Sequence, residues 1–243
     1  MRLAVVSDVH SNLEALEAVL DAIDKVGVDQ ILCAGDMVGY GADPSACLRL
    51  LQERVGRAVL GNHDSAAVGE MALDWFNEAA AAAVRWTRDQ LSPLERGTLQ
   101  ALELTWQSSD GEVSLAHGSL HEPDKFHYLL DLNSAAQSFQ VQKTPVAFIG
   151  HTHVPGVFRE DGSKITFARE GEFRVKTGVK YLVNVGSVGQ PRDGDPRAAF
   201  CLYDTAARTI EIRRVAYLLS QTQAKIRKAG LPEFLAERLA FGY

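Results

Sequence analysis

No stretch of about 18 consecutive apolar residues occurs in the 243-residue chain, so no helix able to cross a bilayer is encoded. The first apolar run, Leu3 to Val6, is too short for the core of a secretion signal and meets Asp8 at once. Cysteine is scarce. Cys33, Cys47 and Cys201 each sit among apolar neighbours, the pattern of buried free thiols in a reducing compartment, so disulfides and thiolate metal sites are not expected and a cytoplasmic location is. Lysine and arginine form no run and the net charge is -6, which disfavours a polymeric nucleic acid as partner because that would call for a basic stripe. Prolines number only eight, and no linker, repeat or low-complexity tract breaks the chain, so residues 1–243 read as one domain. Against these absences stand 46% apolar and 23% charged residues, enough for a sizeable core.

The first half alternates short apolar runs with helical patterns: Leu3 to Val6, Leu13 to Val26, Ile31 to Ala34, Pro44 to Val55 and Ala58 to Leu60. This is a βαβαβ rhythm. Ser11 and Glu14 have capping-box spacing at the start of the first helix. Residues 73–104 read as a helical insertion of two helices, the second opened by Ser92 and Glu95. Trp75, Ala79, Ala82 and Trp86 fall at helical spacing there, and such a stripe is expected to face the core rather than to form a substrate lid. Further on come a hairpin around Asp110-Gly111, strands Val113 to Ala116 and Val146 to Ile149, and a helix near Asn133 to Val141. The tail turns to strands: a hairpin about Asp161-Gly162, then Tyr181 to Val185, then Ala198 to Tyr203 pairing with Thr209 to Val215. A helix over Ser220 to Ala229 follows.

The chemistry lies where these strands end. Five apolar strand candidates run directly into polar clusters: Asp8-Val9-His10, Gly35-Asp36, Gly61-Asn62-His63-Asp64, His117-Gly118 and Gly150-His151-Thr152-His153. In open α/β sheets ligands gather at the carboxyl ends of strands, so clusters far apart in sequence are expected to converge. Asp, Asn and His offer oxygen and imidazole donors, which suit Mn, Fe, Co, Ni or Zn better than an all-oxygen calcium site. Singly each cluster has a plainer reading; Asp8 would equally well cap the first helix. Five of the seven histidines fall in the clusters, and the set as a whole points to a metal centre.

In this order the motifs Asp-x-His, Gly-Asp, Gly-Asn-His-Asp, His-Gly and Gly-His-x-His resemble those of the calcineurin-like metallophosphoesterases, over residues 8–153. Asn184-Val185-Gly186-Ser187 is similar to the Asn-Pro-Gly-Ser turn of the compact prokaryotic members, with Val185 in place of proline. Periodicity alone stops at α/β. The resemblance implies more: a four-layer αββα sandwich with two mixed sheets, and two divalent metal ions. One ion would be held by Asp8, His10 and His153 and the other by Asn62, His117 and His151, with Asp36 bridging. A hydroxide shared by the ions would attack phosphorus while His63 acts as general acid, and Asp64 would either orient His63 or cap the segment after it.

Serine/threonine protein phosphatases of the family continue their Gly-Asp motif to Asp-Arg-Gly, whereas this chain has Gly39-Tyr40-Gly41. That departure lowers the protein-phosphatase reading. The expected activity is that of a phosphodiesterase or a dinucleoside polyphosphate hydrolase on a small, nucleotide-like substrate. The alternatives are a nuclease or phosphomonoesterase of the same fold, or an interaction scaffold without turnover. Candidate substrate contacts are Asn12, Tyr40 and Arg192, and Phe126, His121 and His127 are candidates to line a nucleoside pocket. Oligomeric state is not legible.

Overall fold

Residues 1–169 and 171–243 are described by the computed structural model, and its first half winds alternately as strand and helix. Strand β1 (Arg2–Val6) is followed by α1 (Leu13–Val26), β2 (Gln30–Cys33), α2 (Pro44–Arg54), the two-residue β3 (Arg57–Ala58) and α3 (Asn62–Val68). Helix α1 starts one residue later than its Ser11/Glu14 signature predicts. Ser11 sits at φ 55 and Asn12 is the cap, its side chain accepting the Ala15 N–H at 3.1 Å. Glu14 turns instead to Lys225 and the Thr222 hydroxyl near the far end of the chain.

Two helices do occupy the predicted insertion, α4 (Glu78–Gln90) and α5 (Pro93–Gln100), the latter capped reciprocally by Ser92 and Glu95. The aromatic stripe does not hold. Asn77 caps α4, so Trp75 falls in a separate 3-10 turn and is 85% exposed, while the helix buries Ala80, Ala83, Val84 and Thr87.

The remainder comprises β4 (Thr105–Gln107), β5 (Val113–Ala116), α6 (Leu132–Val141), β6 (Val146–Ile149), β7 (Gly156–Asp161), β8 (Lys164–Ala168), β9 (Glu172–Arg174), β10 (Lys180–Asn184), β11 (Ala198–Asp204), β12 (Thr209–Val215), α7 (Leu219–Lys228) and α8 (Glu233–Glu237). Two six-stranded sheets result, ordered β3-β2-β1-β11-β12-β9 and β4-β5-β6-β10-β7-β8. Each is mixed: β1, β2 and β3 run parallel in the first and β5, β6 and β10 in the second, with antiparallel partners beside them.

Alternation along β1 explains the layering. Leu3 and Val5 face the second sheet, meeting Leu115, Phe148, Tyr181 and Val183, whereas Ala4 and Val6 face Leu16, Leu20 and Leu48 of α1 and α2. Both faces are therefore dry, which is why the strand reads as an unbroken apolar run. On the outer side of the second sheet, Phe139 of α6 packs on Ala147, Ile149 and Leu182. The result is the four-layer αββα sandwich expected. Cys33, Cys47 and Cys201 are free and buried. Among the described residues no helix is long and apolar enough to cross a membrane.

Candidate metal centre

The five strand-end clusters meet at one edge of the sandwich, and the turns that bring them there are strained. Asp8, His10, Asp36, His151 and His153 all adopt φ between 48 and 68. For a side-chain-bearing residue that left-handed conformation costs about 1–2 kcal/mol, and such strain collects at functional sites. Glycine makes the close approach possible: a Cβ on Gly61 would overlap the Asp36 carboxylate, and one on Gly150 would overlap Ser7 and Asp8.

One group of donors consists of Asp8, His10 and His153. The two Nε2 atoms are 3.1 Å apart, and Asp8 Oδ1 lies 3.2 Å from His153 Nε2 and 3.7 Å from His10 Nε2. His10 Nδ1 donates to the Val38 carbonyl at 3.1 Å and His153 Nδ1 to the Gln190 carbonyl at 2.6 Å. Since a carbonyl can only accept, both rings carry their proton on Nδ1 and turn bare lone pairs on each other. Two lone pairs at that distance repel unless a cation lies between them.

A second group repeats the arrangement. His117 Nδ1 donates to the Ala34 carbonyl at 2.8 Å, and its Nε2 lies 3.1 Å from both Asn62 Oδ1 and His151 Nδ1. Asp36 stands between the groups, with Oδ2 3.2 Å from His117 Nε2 and 3.5 Å from His10 Nε2. That oxygen is buried and has no hydrogen-bond partner. The seven side chains thus fit bound metal: convergent donor atoms, a carboxylate oxygen without a hydrogen-bond partner between the groups, and Nδ1 protons of His10, His117 and His153 turned outward onto backbone carbonyls, the usual way a ligating imidazole is oriented.

Titration behaviour follows from the same crowding. Burial pushes His151 down to about 3, and burial with the charge of Arg192 pushes His153 to about 4. Burial would lower His117 as well, but the adjacent Asp36 carries it up to about 9, so a proton there stands in for a cation. Burial disfavours ionised Asp8 and Asp36, yet the imidazoles around them hold both well below the usual carboxylate range.

Asp64 is buried and makes no hydrogen bond to His63. Its carboxylate accepts the amides of Met37 and Val38 at 2.9 and 3.1 Å and of Gly61 at 3.2 Å, clamping the Asp36 loop onto the start of α3. The amides it accepts all precede it in the chain, and His63 is not among its partners. Burial and the charge of Asp36 raise its carboxyl to about 7. His63 lies among His10, Tyr40 and Phe76, with ring centroids at 4.8, 4.4 and 4.8 Å, close enough to join His10 and Asp36 in a donor group. Its Nδ1 is buried without a partner, and burial holds the imidazole well below its usual pKa.

Tyr40 and Arg192 meet, Arg192 Nη2 donating to Tyr40 Oη at 3.2 Å and to Gln190 Oε1 at 2.8 Å. Asn12 Nδ2 donates to the Gly189 carbonyl at 2.8 Å and its Oδ1 accepts from Ala15 and Thr222, which ties it into the turn before α1. Asn184 donates to the Gly150 carbonyl and the Thr152 hydroxyl, steadying the loop that carries His151. Phe126 and His127 line a cavity of about 520 Å³ beside Asn62 and His151. His121 instead stacks on His127 and is not among the lining residues. Sequence reading missed Phe76 and Tyr128, which line the same cavity; neither stands in a motif, and only folding brings them to the centre.

Residues 1–208 match the family model described as the calcineurin-like phosphoesterase superfamily domain. The chain is 39% identical over 242 residues to an uncharacterised protein of Methanocaldococcus jannaschii, covering 99% of this chain and 98% of the relative. A metallophosphoesterase structure from Sphaerobacter thermophilus superposes with a TM-score of 0.89 at 40% identity, covering 100% of this chain and 99% of that one. A hypothetical protein from Pyrococcus horikoshii shares the fold at 17% identity, with a TM-score of 0.79 over 100% and 98% of the two chains.

Proposed function

The chain belongs to the calcineurin-like phosphoesterase superfamily and is a metal-dependent phosphoesterase, and from that premise we propose that it hydrolyses phosphodiesters or dinucleoside polyphosphates at a centre of two divalent ions. Asp8, His10 and His153 would hold one ion and Asn62, His117 and His151 the other, with Asp36 between them. Mn, Fe, Co, Ni and Zn all suit such donors. The observation that carries this reading is the buried Asp36 Oδ2, without a hydrogen-bond partner, standing between two sets of convergent imidazole nitrogens. When bound, a metal pair polarises the phosphoryl group and acidifies water into a nucleophile near neutral pH.

The protein's own groups do the rest. Asn184 and the outward Nδ1 contacts of His10, His117 and His153 hold the donors in place. Arg192 has no carboxylate partner among the described residues, and its Nη1 is uncommitted, so it can grip a phosphate oxygen with Tyr40 steadying the guanidinium. His63 is held neutral by burial until a phosphate arrives; the substrate's negative charge raises its pKa, and the proton taken up passes to the leaving oxygen. Residues 1–243 act as one unit in this reading, because Leu235 and Leu239 of the tail pack against Tyr40, beyond the matched family region. A cytoplasmic setting suits the three free thiols.

The test is turnover of chelated protein resupplied with Mn, on bis-p-nitrophenyl phosphate, p-nitrophenyl phosphate and diadenosine tetraphosphate in parallel. Diester or dinucleotide cleavage that returns with metal is expected, and a faster monoester would overturn the substrate class. His63→Ala should lower kcat by about 100- to 10,000-fold with bound metal, measured by elemental analysis, unchanged. Undiminished turnover would remove His63 from its role.

A further inference from the structure

The cavity beside the centre has a composition the hydrolytic chemistry does not require. Its walls include Trp75, Phe76, Phe126 and Tyr128, reaching down to Asn62 and His151, with Asp124 and Lys125 as the charged residues among them. Tyr128 lies parallel to the His151 ring, centroids 3.9 Å apart and planes 19° from each other, and is half exposed. Trp75 is held out on the turn before α4 with 85% of its surface open. A large indole beside a cavity of about 520 Å³, a size typical of small-molecule sites, offers a stacking face that nothing in the fold covers.

Position within the centre decides which part of a substrate enters. Phe76 is at once a wall of the cavity and the edge-on neighbour of His63, ring centroids 4.8 Å apart at 86°. A group in the cavity therefore lies on the His63 side of the centre, where the general-acid role proposed for His63 would put the leaving group. We propose that the cavity is the subsite for the heterocyclic base of a leaving nucleoside or nucleotide, stacked by Trp75 and Tyr128. This inference rests on the phosphoesterase reading of the centre above. Planar aromatic walls favour a planar base over a sugar, which would need a ring of hydrogen-bond donors, and over an acyl chain, which gains nothing from stacking.

Two readouts test it. Adenosine monophosphate titrated into the Mn-loaded protein should quench tryptophan fluorescence, and the quench should disappear in Trp75→Phe. Separately, kcat/KM is compared on diadenosine tetraphosphate and on glycerophosphoglycerol, a diester without a base. In Trp75→Ala and in Tyr128→Ala the ratio of the first to the second should fall by about 5- to 150-fold, the loss of one stacked base, with Trp75→Phe recovering most of it. An unchanged ratio, or no quench in the wild type, overturns the subsite. If no substrate is cleaved with any metal, the phosphoesterase reading itself fails, and the titration alone decides what the cavity binds.

Discussion

Two regions of this molecule are built on the same strands and are equally dry, yet they are chemical opposites. Between the sheets, Leu3, Val5, Phe148, Tyr181 and Tyr203 interlock, with Phe148 and Tyr203 meeting across the gap at 5.9 Å. One turn beyond the same strands, Asp8, His10, Asp36, Asn62, His117, His151 and His153 are buried to the same degree. Burying the first set is favourable at about 25 cal/mol per Å² of apolar surface. Burying the second costs free energy, since carboxylates and imidazoles lose water and crowd their polar atoms together. The strand-end turns add backbone strain to that cost. The difference teaches that the sandwich core holds together a site that is costly to assemble alone, and that a bound metal would relieve that cost.

The sharpest way to break the comparison is Asp36→Asn. Turnover should be abolished, and the thermal stabilisation that Mn confers on the wild type, about 2.7 kcal/mol at a hundredfold excess over Kd, should vanish in scanning calorimetry. A variant that is still stabilised by Mn would move the shared oxygen elsewhere. Phe148→Ala tests the opposite region: it should cost about 3–5 kcal/mol in urea unfolding while folded protein binds metal as before. Loss of metal from the folded variant would mean that the core also sets the site's geometry.

A third way to sharpen the comparison is pH dependence, which separates the two regions because only the site titrates between about pH 4 and 9. In chelated protein, burial holds His151 near 3, His153 near 4 and His63 well below its usual range, whereas unfolded imidazoles titrate near about 6.5. Between about pH 4 and 6.5 the unfolded chain therefore binds more protons, and stability rises with pH. Asp64, raised by burial and by Asp36 to about 7, offsets one proton of that difference. Above about pH 6.5 the sign reverses, because folded His117 keeps its proton up to about 9. Stability should peak near pH 6.5, with a slope of about 1.4 kcal/mol per pH unit for each net proton. Thermal melts across the range check this, and a flat profile would show that the imidazoles are solvated.

Much of the site was legible because its signal is local. An apolar run followed at once by Asp, Asn or His is visible in any window of ten residues, and each such cluster occupies a strand end in the fold. The hairpin of β7 and β8 was legible for the same reason, with its turn at Asp161-Gly162 and Phe158 pairing Phe167. What the sequence misled on is non-local. Ser11 has the capping-box spacing, yet Asn12 caps α1, and Thr222, from more than two hundred residues away, shares its oxygen. Trp75 has helical spacing with Trp86, yet the cap at Asn77 cuts the helix between them.

By itself, then, the sequence determined which donor types this protein has and that each would sit where a strand stops, because pairing and burial read hydrophobic runs directly. Only the tertiary structure decided that Asp64 clamps the Asp36 loop, that Arg192 meets Tyr40, and that Trp75 and Tyr128 flank a cavity beside His151. Those contacts join segments far apart in the chain, and their geometry is set by how two sheets and their helices pack.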